Sequence, residues 1–430
     1  MNQNWTIKKM PEVVKWGSGG TPKVTVKEYY EKGNIPWLII GDLNDEIVLK
    51  SESKITKLGL ENSSAKMLSK GTLLVAMYGS IGKLGITGIE CCTNQAIAFA
   101  KELHGVTTKF MYYQMKLLKP KLISMGKGGT QKNISQTVLN SLDVIVPPIE
   151  EQELIVTKIE ELFSKLDKCV EELNKIKEQL KIYRQAVLKE AFSGKLTKNK
   201  KIERDVYSLY QSIKERNNKK FQSEEIQLYE LPSGWMWVNI GDITDGVEYG
   251  SSKKSQKSGL VPVLRMGNIQ NGAFDWSDLA YSSDEDEINK YLLKNNDVLF
   301  NRTNSPELVG KTAIYKEERK AVFAGYLIRL NQYDVINAKY LNYYLNSFTA
   351  KMYGNLVKTD GVNQSNINGK KLCSYPFPLC TTEEQDIVVK EIEARLSVCD
   401  KIEQTVNESL QKAESLRQSI LKQAFEGKLV

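Results

Sequence analysis

Two stretches of this sequence carry side chains able to read the edges of bases. In the second half they are Lys253, Arg265, Asn268, Gln270, Asn301, Arg302, Asn304 and Lys311, then Asn363, Gln364 and Asn366. In the first half they are Lys23, Asn44, Tyr78, Ser80, Lys83, Gln131, Lys132 and Asn133. Arg or Lys can address guanine, and Asn or Gln adenine, through paired hydrogen bonds in the major groove of duplex DNA. Each residue alone is a weak signal, because Asn-rich loops are also ordinary turns. Their recurrence at parallel places in two halves is a stronger one. Residues 1–150 contain 19 Lys and no Arg, so the first half must read with Lys, Asn, Gln, Ser or main chain, which leans towards A·T pairs. The second half, with Arg265 and Arg302, could grip guanine.

Catalytic chemistry is hard to find. Ser305-Pro306-Glu307-Leu308-Val309-Gly310-Lys311-Thr312 approaches a phosphate-binding loop. Ser replaces its first Gly, and a strand follows where the phosphate-binding helix should start. Pro22 interrupts Gly17-Ser18-Gly19-Gly20-Thr21 where a dinucleotide motif would continue. Asp284-Glu285-Asp286-Glu287 lacks calcium-loop spacing and reads as a solvated helix start. The single histidine, His104, precedes a Gly in a turn and cannot build a histidine-based zinc site. The six cysteines form no Cys-x-x-Cys pair and read as small core residues of a reducing compartment. There is no Asn/Asp-Pro-Pro-aromatic motif of an amino-methyltransferase and no nuclease-like carboxylate–lysine cluster. The expectation is a chain that catalyses nothing alone and holds neither metal nor cofactor.

The elements that position these loops come from an internal duplication. The chain has 430 residues, enough for two or three domains, with 41% hydrophobic and 26% charged residues. No apolar run reaches the ~18–20 residues of a membrane helix, and the N-terminus lacks a signal-peptide build, so a cytoplasmic protein without membrane contact is expected. Net charge is +8, concentrated in residues 1–150, where the 19 Lys face 12 acids; that balance suits a polyanion.

Glu151-Gln152-Glu153-Leu154-Ile155-Val156 returns as Glu384-Gln385-Asp386-Ile387-Val388-Val389, an offset of 233. At the same offset the run Arg184 to Leu196 returns as Arg417 to Leu429. Both copies read as long helices. In the first, Ile155, Ile159, Leu162, Leu166, Cys169, Leu173, Ile176, Leu180, Tyr183 and Val187 form a seam of alternating steps of four and three. The second seam is poorer: Val388, Ile392, Arg395, Cys399, Ile402, Val406, Ser409, Ala413, Leu416 and Ile420. A strong and a weak seam in one chain suggest that the two helices pack on each other. About 42 residues at 1.5 Å each give a rod of roughly 63 Å. The segments before the helices differ in sequence but share an order of strands and Gly turns, giving an α+β class: two tandem pseudo-repeated β-rich globules, each followed by a long helix. The expected boundaries are 1–147 for the first globule, 148–197 for the central helix, 198–230 for a basic linker, 231–379 for the second globule and 380–430 for the distal helix.

Val146-Pro147-Pro148-Ile149-Glu150-Glu151-Gln152, joined to a heptad helix ending Ala191-Phe192-Ser193-Gly194-Lys195-Leu196, resembles the specificity subunit of Type I restriction–modification enzymes. So does the second appearance, Thr382-Glu383-Glu384-Gln385 through Ala424-Phe425-Glu426-Gly427-Lys428-Leu429, and so does Gly128-Gly129-Thr130-Gln131-Lys132-Asn133-Ile134-Ser135. One departure is Tyr375-Pro376-Phe377-Pro378-Leu379-Cys380, which lacks the Pro-Pro pair. The resemblance implies two target-recognition domains, each reading half of a bipartite, asymmetric DNA site. It implies that the helices form an antiparallel coiled coil that spaces the domains and docks two methyltransferase subunits, with restriction translocase–nuclease subunits joining them. S-adenosylmethionine, ATP and Mg²⁺ would belong to those partners. The competing readings are a coiled-coil scaffold without DNA specificity, or a similar subunit of another methylation-based defence system.

Overall fold

The structure is a computed structural model that describes residues 4–128, 132–200, 202, 205–216 and 228–429. The chain divides into two units, Met1–Asn174 with Asn407–Val430, and Lys175–Val406. Each unit therefore holds one globule, the start of the helix that follows it and the end of the other long helix.

In unit 1 the strands are β1 (Thr6–Lys9), β2 (Val14–Ser18), β3 (Ile35–Leu38), β4 (Glu46–Val48), β5 (Lys54–Ile55), β6 (Leu73–Ala76), β7 (Leu84–Thr87), β8 (Cys92–Thr93), β9 (Ile97–Leu103) and β10 (Asp143–Val146). The main sheet runs β2-β9-β6-β7-β4, and a smaller one runs β5-β3-β8. Strand β6 is apolar at every position because both its faces are covered. Leu73 and Val75 enter a core with Phe110, Met111 and Met115 of the helix Thr108–Met125. Leu74 and Ala76 enter another with Leu38, Leu43 and Phe99.

Unit 2 repeats this plan. Its main sheet orders Thr244–Tyr249, Leu327–Gln332, Val298–Asn301 and Thr312–Ile314. Val261–Leu264 lies antiparallel to Ala280–Ser282 and parallel to Val322–Phe323, as β3 does to β5 and β8. Val298 and Phe300 face one core and Leu299 another, the alternation seen in β6. In both units the first strand pairs with the last before the long helix: β1 with β10, and Met236–Asn239 with Pro376–Leu379. The duplication expected from two short matching segments thus extends through the globules.

The long helices are Ile149–Phe192 and Thr382–Phe425, 44 residues each. They end alike. Lys195 N donates to Glu190 O at 3.0 Å and Lys428 N to Gln423 O at 2.9 Å, closing over Gly194 and Gly427 at φ +70° and +73°. This left-handed cap favours Gly, which explains the Ala-Phe-x-Gly-Lys-Leu signature. The Phe of each signature plugs a globule. Phe425 meets Phe110 at 5.1 Å in unit 1, and Phe192 meets Tyr340 at 5.1 Å and Tyr344 at 5.2 Å in unit 2.

The helix starts are also alike. Gln152 is fully buried; its Nε2 donates to Gly105 O (2.8 Å) and Pro147 O (2.9 Å), and its Oε1 accepts from Thr107 N (2.9 Å). Gln385, equally buried, donates to Cys380 O (3.0 Å) and accepts from Asn337 N (2.8 Å). Thr107 and Asn337 each cap the helix that packs under the main sheet. The Glu-Gln repeat is therefore a clamp between long helix and globule, and it survives the loss of the Pro-Pro pair in the second copy.

In each unit the two long helices run antiparallel. Arg184 pairs with Asp400 (2.7 Å) and Glu403 (2.9 Å) in unit 2, and Arg417 pairs with Asp167 in unit 1. Both residues of each cross-helix pair sit at the repeat offset, so each unit makes the same Arg–Asp pair between its own helix segments. The seam itself needs correction. Burial falls on every seventh residue: Ile159, Leu166, Leu180 and Val187 in one helix, and Ile392, Cys399, Val406, Ala413 and Ile420 in the other, with Leu173 half-buried. Ile155 and Val388 are buried in the globule cores, and Leu162 is half-buried. Of the remaining seam positions, Arg395 and Ser409 are half-buried, and Cys169, Ile176, Tyr183, Ile402 and Leu416 are exposed. Two helices offer one narrow contact line, so a wide apolar stripe cannot all be covered. The second seam, despite its weaker pattern, is buried at six positions and the first at five.

Two further expectations change. Within 198–230, read as linker, Val206–Arg216 is a helix whose Val206 and Ile213 enter the unit 2 core. Val206, Leu209, Tyr210 and Ile213 supply an i, i+3, i+4, i+7 face that its polar composition masks. Cys169 is exposed, and the other five cysteines are buried.

Candidate nucleic-acid interface

In unit 1 the chain leaves β6 through a tight turn, Met77-Tyr78-Gly79-Ser80, with Gly79 at φ +65°. The segment after 131 returns alongside it. Gly79 N donates to Lys132 O (3.1 Å), Ile134 N donates to Met77 O (2.9 Å), and Tyr78 pairs with Asn133. Lys127 and Asn133 exchange two backbone hydrogen bonds, at 3.0 and 2.8 Å. The fold thus gathers Tyr78, Ser80, Lys132 and Asn133, all exposed, with Lys83 half-buried one turn further on. Lys83, Lys127 and Lys132 have no carboxylate within 4.0 Å among the described residues, so the positive potential of this cluster is not locally neutralised. Gln131 lies outside the described residues. Lys23 is exposed in a separate turn. Asn44 lines a different cleft of 830 Å³, shared with Tyr112, Tyr113, Lys116, Glu160 and Asp167. Burial in that cleft lowers the Lys116 ammonium and raises both phenols.

Unit 2 builds the same loop pair. Strand Val298–Asn301 runs into Arg302, and Thr303 and Asn304 pair with Asn366 and Ser365. Ile367 N donates to Arg302 O (2.9 Å), as Ile134 does to Met77. Asn366 Nδ2 donates to Thr303 Oγ1 (2.7 Å), and the hairpin tip that follows Thr359–Asp360 leaves Val362, Asn363 and Gln364 exposed. Asn304 is half-buried and caps Ser305 N at 2.8 Å. Lys311 Nζ donates to Gln270 Oε1 at 3.3 Å, joining two more candidates at the neighbouring turn.

Beside this hairpin lies a cleft of 670 Å³ lined by residues 251–257, Arg265, Asp278, Arg302 and Tyr326. The Arg302 guanidinium lies 4.9 Å from the Tyr249 ring centroid and donates to Gly325 O at 3.3 Å. Tyr249 is fixed in turn by accepting from Gly369 N at 2.7 Å. Arg265 is held by Asp278 at 3.1 Å, and Lys253 by Asp284. The bond to Asp284 raises the Lys253 ammonium above its ordinary range and holds the Asp284 carboxyl below its own.

Two candidates are removed by burial. Asn268 is 3% exposed, with its amide donating to Asp275 O (2.9 Å) and Asp278 O (2.8 Å) and accepting from Arg265 N (2.9 Å). Asn301 is fully buried and accepts from Thr303 N at 3.3 Å. Both amides shape the loops that present Arg265 and Arg302; neither reaches solvent. Sequence reading also missed Lys127, Lys254, Lys257 and Tyr326, all exposed at the two clusters. The Ser/Lys run 251–257 was a legible signal for two of them. Tyr249 beneath Arg302 gave none, since stacking joins residues far apart in the chain.

No helix among the described residues is long and apolar enough to cross a membrane. Among those residues no group of three or more His, Cys, Asp or Glu could hold a metal ion.

The family model described as Type I restriction modification DNA specificity domain matches residues 2–181 and 232–412. The chain is 28% identical over 324 residues to the Type I restriction enzyme EcoKI specificity subunit of Escherichia coli K12, covering 74% of this chain and 64% of that protein. The alignment thus spans somewhat less than two thirds of that relative's length. The EcoDI specificity subunit of Escherichia coli is 24% identical over 438 residues, covering 99% of this chain and 89% of that one. A solved structure described as the HsdS subunit from Thermoanaerobacter tengcongensis has a TM-score of 0.53 at 16% identity, covering 100% and 98% of the two chains. A chain from a structure of a type I R-M system has a TM-score of 0.72 at 15% identity, covering 100% and 99%; both likenesses concern the fold.

Proposed function

The chain belongs to the Type I restriction modification DNA specificity family, and from that premise we propose that it is the non-catalytic subunit that selects the DNA sequence. Each unit reads one half of a bipartite, asymmetric site. One observation carries this reading: the two units place the same loop pair on the same strand but arm it with different side chains. A duplicated scaffold with divergent tips is what two unlike half-sites require. The partners are duplex DNA, two methyltransferase subunits and restriction translocase–nuclease subunits. S-adenosylmethionine, ATP and Mg²⁺ act on those partners, not on this chain. The exposed apolar positions Ile176, Tyr183 and Ile402 on the helices of unit 2, and separately Leu416 in unit 1, are the proposed contacts for methyltransferase subunits.

The test is co-expression with the neighbouring methyltransferase and base-resolution mapping of adenine methylation. A single split motif with a fixed gap is the expected result. A stable complex with active methyltransferase and no new methylation would favour a scaffold instead. DNA binding should also weaken steeply with salt, because counterion release accompanies phosphate contact, whereas a scaffold gives no slope.

The helices set the gap between half-sites. Half-sites centred about one DNA turn or 10 base pairs apart leave roughly six unread base pairs if each unit reads three to five. Adding one heptad to both helices lengthens them by about 10 Å. The permitted gap is then expected to grow by about three base pairs at 3.4 Å per step. Retention of the original gap by the lengthened protein would sink the ruler.

A further inference from the structure

We infer that Arg302 is the guanine-reading side chain of unit 2, with Tyr249 as its positioning residue, and that unit 1 has no counterpart. The inference rests on the bipartite reading proposed above and assigns one base position within it.

The equivalence of the two units defines the comparison. Ile367 N donates to Arg302 O and Ile134 N donates to Met77 O, so Arg302 and Met77 occupy the same place after the same strand. Met77 is 4% exposed and apolar, so unit 1 offers no donor there. Arg302 is half-buried at the edge of the 670 Å³ cleft.

Among the cations of that cleft Arg302 alone is both pre-oriented and uncommitted among the described residues. Its guanidinium lies over Tyr249, and one Nη1 donor goes to Gly325 O. That fixes the plane of the fork while leaving most of its five donors available. Its Nε is buried without a partner, as is that of Arg265, but no carboxylate among the described residues lies within 4.0 Å of Arg302. Arg265, by contrast, is neutralised by Asp278, and Lys253 by Asp284. Lys254 and Lys257 are exposed on flexible stems, suited to phosphates rather than base edges. A planar fork held still beside a cationic rim matches the two acceptors, O6 and N7, that guanine presents in the major groove.

The experiment uses the full chain in complex with its methyltransferase subunits, selecting bound duplexes from a random-sequence pool and mapping methylation in parallel. Wild type is expected to give a split motif with a guanine in the half-site of unit 2. Absence of any split motif would remove the bipartite reading itself, and with it this assignment. Arg302→Ala should keep the gap and the other half-site while discrimination at one G·C position falls about 10- to 100-fold. Arg302→Gln should shift that position towards adenine, because a carboxamide matches adenine N6 and N7. Tyr249→Leu should blur the same position and no other. An unchanged motif in Arg302→Ala, or loss of binding to all sequences by a complex that keeps the wild-type melting temperature, would overturn the proposal. The latter would make Arg302 a phosphate contact.

Discussion

Phe425→Ala, at the far end of the chain, is expected to destabilise the amino-terminal globule by about 3–5 kcal/mol. Phe425 is 1% exposed and packs on Phe110, in one core with Ile155, Ile159, Phe163 and Ala424. Removing a fully buried ring loses both its transfer free energy and its packing, and the rigid helix ends around it cannot collapse into the void. Phe192→Ala should do the same to unit 2, where Tyr340 and Tyr344 close on the ring. The readout is hydrogen exchange resolved along the sequence. Phe425→Ala should speed exchange in residues 4–128 and spare 228–380, and Phe192→Ala should do the reverse. If each substitution instead loosened the globule that precedes its own helix, the crosswise plugging of the two helix ends would be wrong.

That crosswise arrangement was partly legible. The offset of 233 marks Arg184 with Arg417 and Phe192 with Phe425 as equivalent, and the helix signatures identify both long helices and their Gly caps. The same offset links Asp167 to Asp400, yet nothing in the sequence says that Arg184 meets Asp400 and Arg417 meets Asp167. A repeat states which residues are alike, not whether like residues bind their own copy or the other. The seam failed for a related reason. Apolar spacing tells which residues a helix could bury, while the number of neighbouring surfaces decides how many it does; Ile176 and Leu416 fit the heptad and remain exposed.

The recognition loops were legible as a region more than as residues. Lys132, Asn133, Arg302 and Gln364 all fall on the paired loops. Asn268 and Asn301 qualify as candidates on side-chain type alone. An amide that can bond a base can equally bond three backbone groups of its own turn, and Asn268 does so. Only tertiary structure separates these uses, because both draw on the same donors and acceptors.

The helix-start clamp yields the second large effect. Gln385→Ala is expected to cost unit 2 about 2–4 kcal/mol, since it strands the Asn337 N–H and the Cys380 carbonyl in a site that excludes water. Gln152→Ala should cost unit 1 a similar amount through Thr107, Gly105 and Pro147. A carboxylate substitution separates lost hydrogen bonding from lost packing. In Gln385→Glu a charged oxygen would face the Cys380 carbonyl, so the buried acid is expected to hold its proton, with a native pKa raised above the unfolded value of about 4.3. The native state then binds more protons than the unfolded one, and stability must fall as pH rises through that window. Urea unfolding should show Gln385→Glu approaching wild type near pH 4 and weakening towards pH 7, while the deficit of Gln385→Ala changes little over the same range. A deficit of Gln385→Glu that is flat with pH would mean that the side chain reaches water and that the clamp is only a surface contact.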